Sequence, residues 1–256
     1  NALTATTAAE AANYPFCTIE PNIGRVSVPE PRLEALCALN KSAKITPAQL
    51  DFVDIAGLVA GASTGEGLGN QFLAKIREVD AIAHVLRCFE DSEVAHEGPL
   101  DPISDAEIVE TELMLADLES LERRVRPLEK KAKGGDAEAI EMKDMVERCI
   151  LVLRDGRPAR EVKRAADEEH IFKQMQLLTA KPMMYVCNVD EDSAASGNQY
   201  SDRVAEWAAG RNAATVVISA AIEAEIALLD DEDEKAEFLD SLGLAETGLA
   251  GVIHAG

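Results

Sequence analysis

Apolar side chains follow two rhythms along this chain. Short runs rich in branched residues, at 49–55, 81–89, 182–188 and 214–219, read as buried strands, and a further strand is expected at 24–28. Between and after them the apolar positions recur every three or four residues, which predicts helices over 70–79, 200–209 and 222–229. Strand and helix in alternation predict an α/β domain built on a mainly parallel sheet. Ligands of such sheets gather at the carboxyl ends of strands, so the residues that close each run are where chemistry is sought.

One stretch breaks the alternation. From 105 to 154 there is no strand signal, while Met114, Leu118, Leu121, Val125, Leu128 and Ala132 keep a helical spacing. Met142, Met145, Cys149 and Val152 do the same after Gly134-Gly135. The pattern predicts an antiparallel coiled-coil hairpin inserted in the sheet domain, with ordinary core helices of the main domain as the alternative. Pro127 is expected to kink or interrupt the first arm near Val125, because proline lacks an N–H and its ring crowds the preceding turn.

Composition narrows the function classes. The 256 residues hold 25 Lys and Arg against 47 Asp and Glu, a net charge of −22, which disfavours nonspecific binding of free nucleic acid. No apolar run approaches the ~18 residues that a membrane-spanning helix needs. The five cysteines are odd in number and widely spaced, reading as reduced thiols of a cytoplasmic protein, and no secretory signal is visible in 1–16. Charge is uneven. Residues 123–133 carry six basic side chains against Glu129, whereas 223–246 carry ten acids against Lys235. The basic stretch is either a solvated face or a contact for a polyanion.

Four motifs close the predicted strands or lie between them. Asp54-Ile55-Ala56-Gly57 ends the first run. An Asp there suits Mg²⁺, and a glycine three residues on lets a backbone N–H approach a terminal phosphate. Five of the sixteen glycines fall within 57–69, a segment free to change shape with a phosphate or simply a pliant loop. Asn188-Val189-Asp190-Glu191 ends the third run. Guanine-reading switches close the equivalent strand with N-K-x-D, whose Asp accepts both N–H groups on one edge of the base. Here Val189 stands for the Lys and Glu191 for the Asp, which weakens a guanine assignment while leaving the Asn188 amide able to bond either purine. Asp190 offers another register, and a plain polar turn is the alternative. Ser219-Ala220-Ala221 closes the last run with small residues whose backbone N–H groups could face a purine edge. Thr18, within Tyr14-Pro15-Phe16-Cys17-Thr18-Ile19-Glu20-Pro21-Asn22, offers a hydroxyl to complete a Mg²⁺ shell, or the segment is a rigid turn.

In this order the motifs resemble the YchF/Obg-like ATPase family of P-loop NTPases, within the translation-factor class of GTPase-related switches. The resemblance is carried by 14–22, by Phe52 to Leu58, by Gly61 to Leu73 and by Lys131-Ala132-Lys133-Gly134-Gly135-Asp136, and it spans nearly the whole chain. It implies a G-domain-like fold that binds and hydrolyses ATP in preference to GTP, with Mg²⁺, in the cytoplasm and in association with ribosomes. By the same resemblance Thr18 and Asp54 are metal positions. Gly57, Asn188, Val189, Glu191, Ser219, Ala220 and Ala221 are nucleotide positions, with Val189 against the adenine. Leu58 stands where many GTPases place a water-orienting Gln, so slow hydrolysis is expected and no catalytic base is named. Cys17 is a candidate redox-sensitive thiol or an inert packed one.

The resemblance also implies an organisation. Residues 1–104 would form the first part of the nucleotide-binding core, 105–172 the inserted hairpin and 173–256 the rest of the core. No G-x-x-x-x-G-K-[ST] occurs. The phosphate-cradling loop and first central strand are expected to precede Asn1, and a small β-rich TGS domain to follow Gly256. Without that loop, absent or severely impaired turnover is expected. A GTPase and a nonhydrolytic ribosome-binding module are the alternative functions.

Overall fold

The computed structural model describes residues 22–28, 30–55, 68–90, 99–229 and 231–255. Thr18, Gly57, Leu58 and most of the glycine-rich segment lie outside them. Strand β1 (Asn22–Ser27) pairs antiparallel with β2 (Gln49–Asp54), Asn22 facing Asp54 and Ser27 facing Gln49. Strands β3 (Ile82–Arg87), β4 (Met183–Asn188) and β5 (Ala214–Ile218) form a second sheet in the order β3-β4-β5. β4 and β5 are parallel, Met184 facing Ala214 and Asn188 facing Ile218. β3 advances in the same sense, since the N–H groups of Ile82 and Cys88 donate to the carbonyls of Pro182 (3.0 Å) and Asn188 (2.8 Å).

Nine α-helices are described: α1 (Pro31–Asn40), α2 (Leu68–Glu78), α3 (Pro102–Lys133), α4 (Ala137–Arg154), α5 (Glu169–Gln174), α6 (Gln199–Ala209), α7 (Ala220–Ile226), α8 (Glu232–Ser241) and α9 (Gly248–Ala255). The described residues fall into two compact units, one from 22–55, 83–102 and 184–255, the other from 68–82 and 103–183.

In the first unit Val186 of β4, Ile218 of β5 and Val252 of α9 make a small core, with Phe52, Met184 and Val216 packed on it. Tyr185 is fully buried and meets the Trp207 ring edge-on at 4.9 Å, while the Arg211 guanidinium covers Trp207 at 4.0 Å.

The second unit is dominated by the predicted hairpin. Leu121, Met145, Val146, Cys149, Ile150 and Leu153 are buried together with Ile171, Phe172 and Met175, and Met114, Leu118, Val125 and Leu128 pack against them. Each such side chain contributes about 1.5–3 kcal/mol when fully buried. Glu122 and Arg154 pair across the two arms at 2.7 Å. Gly135, at φ 83°, closes the turn between them, and the Asp136 side chain caps α4 by accepting the Ala139 N–H at 3.2 Å. Helix α3 runs unbroken through Pro127, so the interruption expected there does not occur.

Two polar ties complete this unit. Asp117 of α3 is 1% exposed, and its carboxylate accepts the N–H groups of Leu178 and Thr179, both at 2.8 Å, and the Thr179 hydroxyl at 2.7 Å. That hydroxyl accepts the Ala159 N–H in turn, at 3.0 Å. The Lys181 ammonium donates to the carbonyls of Arg77 (3.1 Å) and Val79 at the end of α2.

Candidate functional site

The carboxyl ends of β4 and β5 meet in the first unit. Val189, 3% exposed, extends β4 by one bond, its N–H donating to the Ile218 carbonyl at 2.8 Å. Asn188 is half-buried, and its side-chain oxygen accepts the Ala220 N–H at 2.9 Å. Two of the motifs read from the sequence, 188–191 and 219–221, are therefore joined by a side-chain bond although 32 residues separate its partners. The bond occupies the Ala220 N–H and the amide oxygen of Asn188. Its Nδ2 group is the donor half of that amide.

After β4 the chain turns on Asp190, whose carboxylate accepts the Ser193 N–H at 2.9 Å, and the Glu191 side chain is exposed. Ala220 and Ala221, also exposed, open α7. Ser219 is 3% exposed and stands at the N-cap position of α7 without a cap bond. Its Oγ has no protein partner.

A third strand end joins this corner through a residue that the sequence reading passed over. Asn198 donates from Nδ2 to the Cys88 carbonyl, just beyond β3, at 2.7 Å, and its Oδ1 accepts the N–H groups of Tyr200 and Ser201. Ser201 returns the bond, accepting the Asn198 N–H at 2.8 Å. The signal in the sequence was the box Asn198-Gln199-Tyr200-Ser201 ahead of the predicted helix. The Tyr200 hydroxyl donates to Glu90 at 2.8 Å, and that bond to a carboxylate raises the phenol above its ordinary value.

Asp54 ends β2 with an exposed side chain. An exposed carboxylate at a strand end fits a hard cation such as Mg²⁺, which keeps most of its water ligands. Among the described residues no three His, Cys, Asp or Glu side chains cluster as a complete metal site. Cys37, Cys88, Cys149 and Cys187 are free thiols. Burial pushes the Cys149 thiol up to about 11, and Cys88 is raised by donating to Cys187 and by burial, so neither is a ready nucleophile. Cys17 lies outside the described residues.

Comparison with known proteins follows the same lines. Residues 1–115 match the family model described as 50S ribosome-binding GTPase. The chain is 54% identical over 248 residues to the ribosome-binding ATPase YchF of Haemophilus influenzae, covering 96% of the chain and 68% of the relative. It is 47% identical over 250 residues to the protein of the same name in Bacillus subtilis, with the same coverage of 96% and 68%. Among solved structures, the Schizosaccharomyces pombe YchF GTPase superposes with a TM-score of 0.79 at 33% identity, over 99% of the chain and 69% of that structure.

Proposed function

This chain belongs to the YchF family, with a P-loop GTPase fold, and on that footing we propose that it serves as an ATP-binding, slowly hydrolysing switch that works with ribosomes in the cytoplasm. The observation that carries the reading is the bond from Ala220 N–H to Asn188 Oδ1, which fastens the two predicted base-reading segments into one corner. With its oxygen held, Asn188 turns its Nδ2 donor toward a purine ring nitrogen common to adenine and guanine. Discrimination then falls to the neighbours. Val189 supplies an apolar backing where N-K-x-D has a Lys, and the longer Glu191 arm displaces the carboxylate that would accept the two guanine N–H groups.

Thr18 and Asp54 would hold Mg²⁺, which neutralises phosphate charge when bound. The Gly57 N–H would meet the terminal phosphate. Leu58 has no polar group to orient water, so hydrolysis is slow without help from a partner. The inserted hairpin, 105–172, presents the basic tip as the ribosome contact, between the two parts of the nucleotide-binding core at 1–104 and 173–256.

The test is competitive titration of ATP and GTP against the parent and a Val189→Lys, Glu191→Asp double variant. The parent should prefer ATP and the variant should shift toward GTP. Equal affinities for both nucleotides in both proteins refute the assigned base contacts. A second reading, GTP as the working nucleotide, is favoured by the family model's description and by the name of the Schizosaccharomyces pombe structure. A parent that prefers GTP in the same titration would establish it.

A further inference from the structure

Helix α7 starts directly after Ser219, yet the Ser219 hydroxyl gives it no cap bond, so the turn at 219–221 lacks the local fastening that a helix start usually has. Its hold is tertiary and comes from two sides. On one side is the Asn188 amide. On the other is Glu223, 6% exposed, in the first turn of α7. The Glu223 carboxylate accepts the Gly248 N–H at 2.6 Å and the Leu249 N–H at 3.4 Å, at the positive end of α9, while its own N–H returns to the Ser219 carbonyl at 3.0 Å.

Gly248 lets this approach happen. A Cβ there would lie 2.7 Å from Ile218 Cγ2 and 2.9 Å from Glu223 Oε1, so α9 is seated directly on the last residue of β5 and on the carboxylate. Beside it a cavity of about 140 Å³ is lined by Ser219, Ile222, Glu223, Thr247 and Gly248. Removing the carboxylate enlarges that space, frees two N–H groups and takes the backing from the turn.

We infer that Glu223 is a positioning residue for purine recognition, holding the 219–221 turn at the height where its backbone discriminates between bases. The inference rests on the nucleotide reading above. Because the Asn188 donor meets an atom common to both purines, selectivity depends on its neighbours, Val189 and Glu191 after β4 and the 219–221 turn after β5, and Glu223 fixes the turn.

The experiment measures dissociation constants for fluorescent ATP and GTP analogues, with melting temperatures, in the intact protein and three variants. Glu223→Ala should raise the ATP constant about tenfold and shrink the ATP-to-GTP ratio, as displacement of a positioned group does. Glu223→Gln, which keeps one acceptor oxygen, should be intermediate at about threefold. Asp136→Ala removes a helix cap in the other unit and should lower the melting temperature while leaving both constants unchanged. Folded Glu223→Ala protein with parental constants overturns the role of Glu223, as does an equal shift in Asp136→Ala. If Glu223→Ala does not fold, the Gln variant decides, and parental constants there overturn the role. A parent that binds neither nucleotide refutes the nucleotide reading itself, and the role of Glu223 with it.

Discussion

Asp117 gives a prediction that can be worked from distances. Its Oδ2 accepts two hydrogen bonds, from the Thr179 N–H and hydroxyl, and its Oδ1 accepts one from the Leu178 N–H, all at 2.7–2.8 Å and out of water. Asp117→Asn, with its oxygen in the Oδ2 place, retains two of these bonds and turns an NH₂ toward the Leu178 N–H. One stranded buried donor costs about 1–3 kcal/mol. Asp117→Ala strands both backbone donors and leaves a void, for an expected loss of about 3–5 kcal/mol, a large share of the 5–15 kcal/mol of an ordinary domain.

The sign of the pH dependence follows from the direction of the shift. Burial raises the Asp117 carboxyl above its ordinary 3.8, and the bonds from Thr179 and Leu178 offset this only in part. The folded state therefore holds the proton more tightly than the unfolded state. This group's contribution is complete below its unfolded value and is lost as pH rises through its folded one. Paired urea denaturation of parent and Asp117→Asn, from neutral pH down to about 4, measures both effects. The parent should gain stability relative to the variant on acidification. A loss under about 1 kcal/mol in Asp117→Ala, or a parent–variant difference that does not change with pH, refutes this reasoning.

The other predictions concern the core of the first unit and the hairpin. Gly248→Ala forces a methyl group to within 2.7 Å of Ile218 Cγ2, so denaturation should show a loss of about 1–3 kcal/mol, and an unchanged midpoint would mean that α9 shifts freely. Reversing the charge of Arg123, Arg124, Lys130 and Lys131 should abolish cosedimentation with ribosomes at low salt, where attraction to phosphate is strongest, without unfolding the hairpin. Unchanged cosedimentation would exclude the tip as the contact.

Much of the fold was legible because its runs are short, branched and closed by polar residues. The runs at 49–55, 81–89, 182–188 and 214–219 became β2, β3, β4 and β5, and 24–28 falls on β1. Gly134-Gly135 marked the hairpin turn because Gly135 takes a positive φ. Four helices were missed, the six-residue α5 among them. Helix α1 buries none of its residues, so it leaves no amphipathic signature, and only Pro31 and the Glu30 cap announce it. Helix α8 was hidden in an acidic run that reads as solvated chain, and α9 in a glycine-containing apolar stretch. Pro127 does not interrupt α3, one of the two outcomes expected of it. A proline inside a helix costs about 3 kcal/mol, but Leu121, Val125 and Leu128 pack on the same core on both sides of it, and tertiary burial overrides the local cost. At the candidate site the sequence named Asn188 and Ala220 separately. That one bonds the other is a fact of strand order, which spacing along the chain does not encode.

The Lys181 tie has a directional consequence. With its ammonium on the carbonyls of Arg77 and Val79, the trailing end of α2 is stapled, while the leading end at Leu68 follows the glycine-rich run. Opening of the last turn of α2 then requires that the Lys181 tie release, so amide-exchange protection at this end should fall in Lys181→Ala.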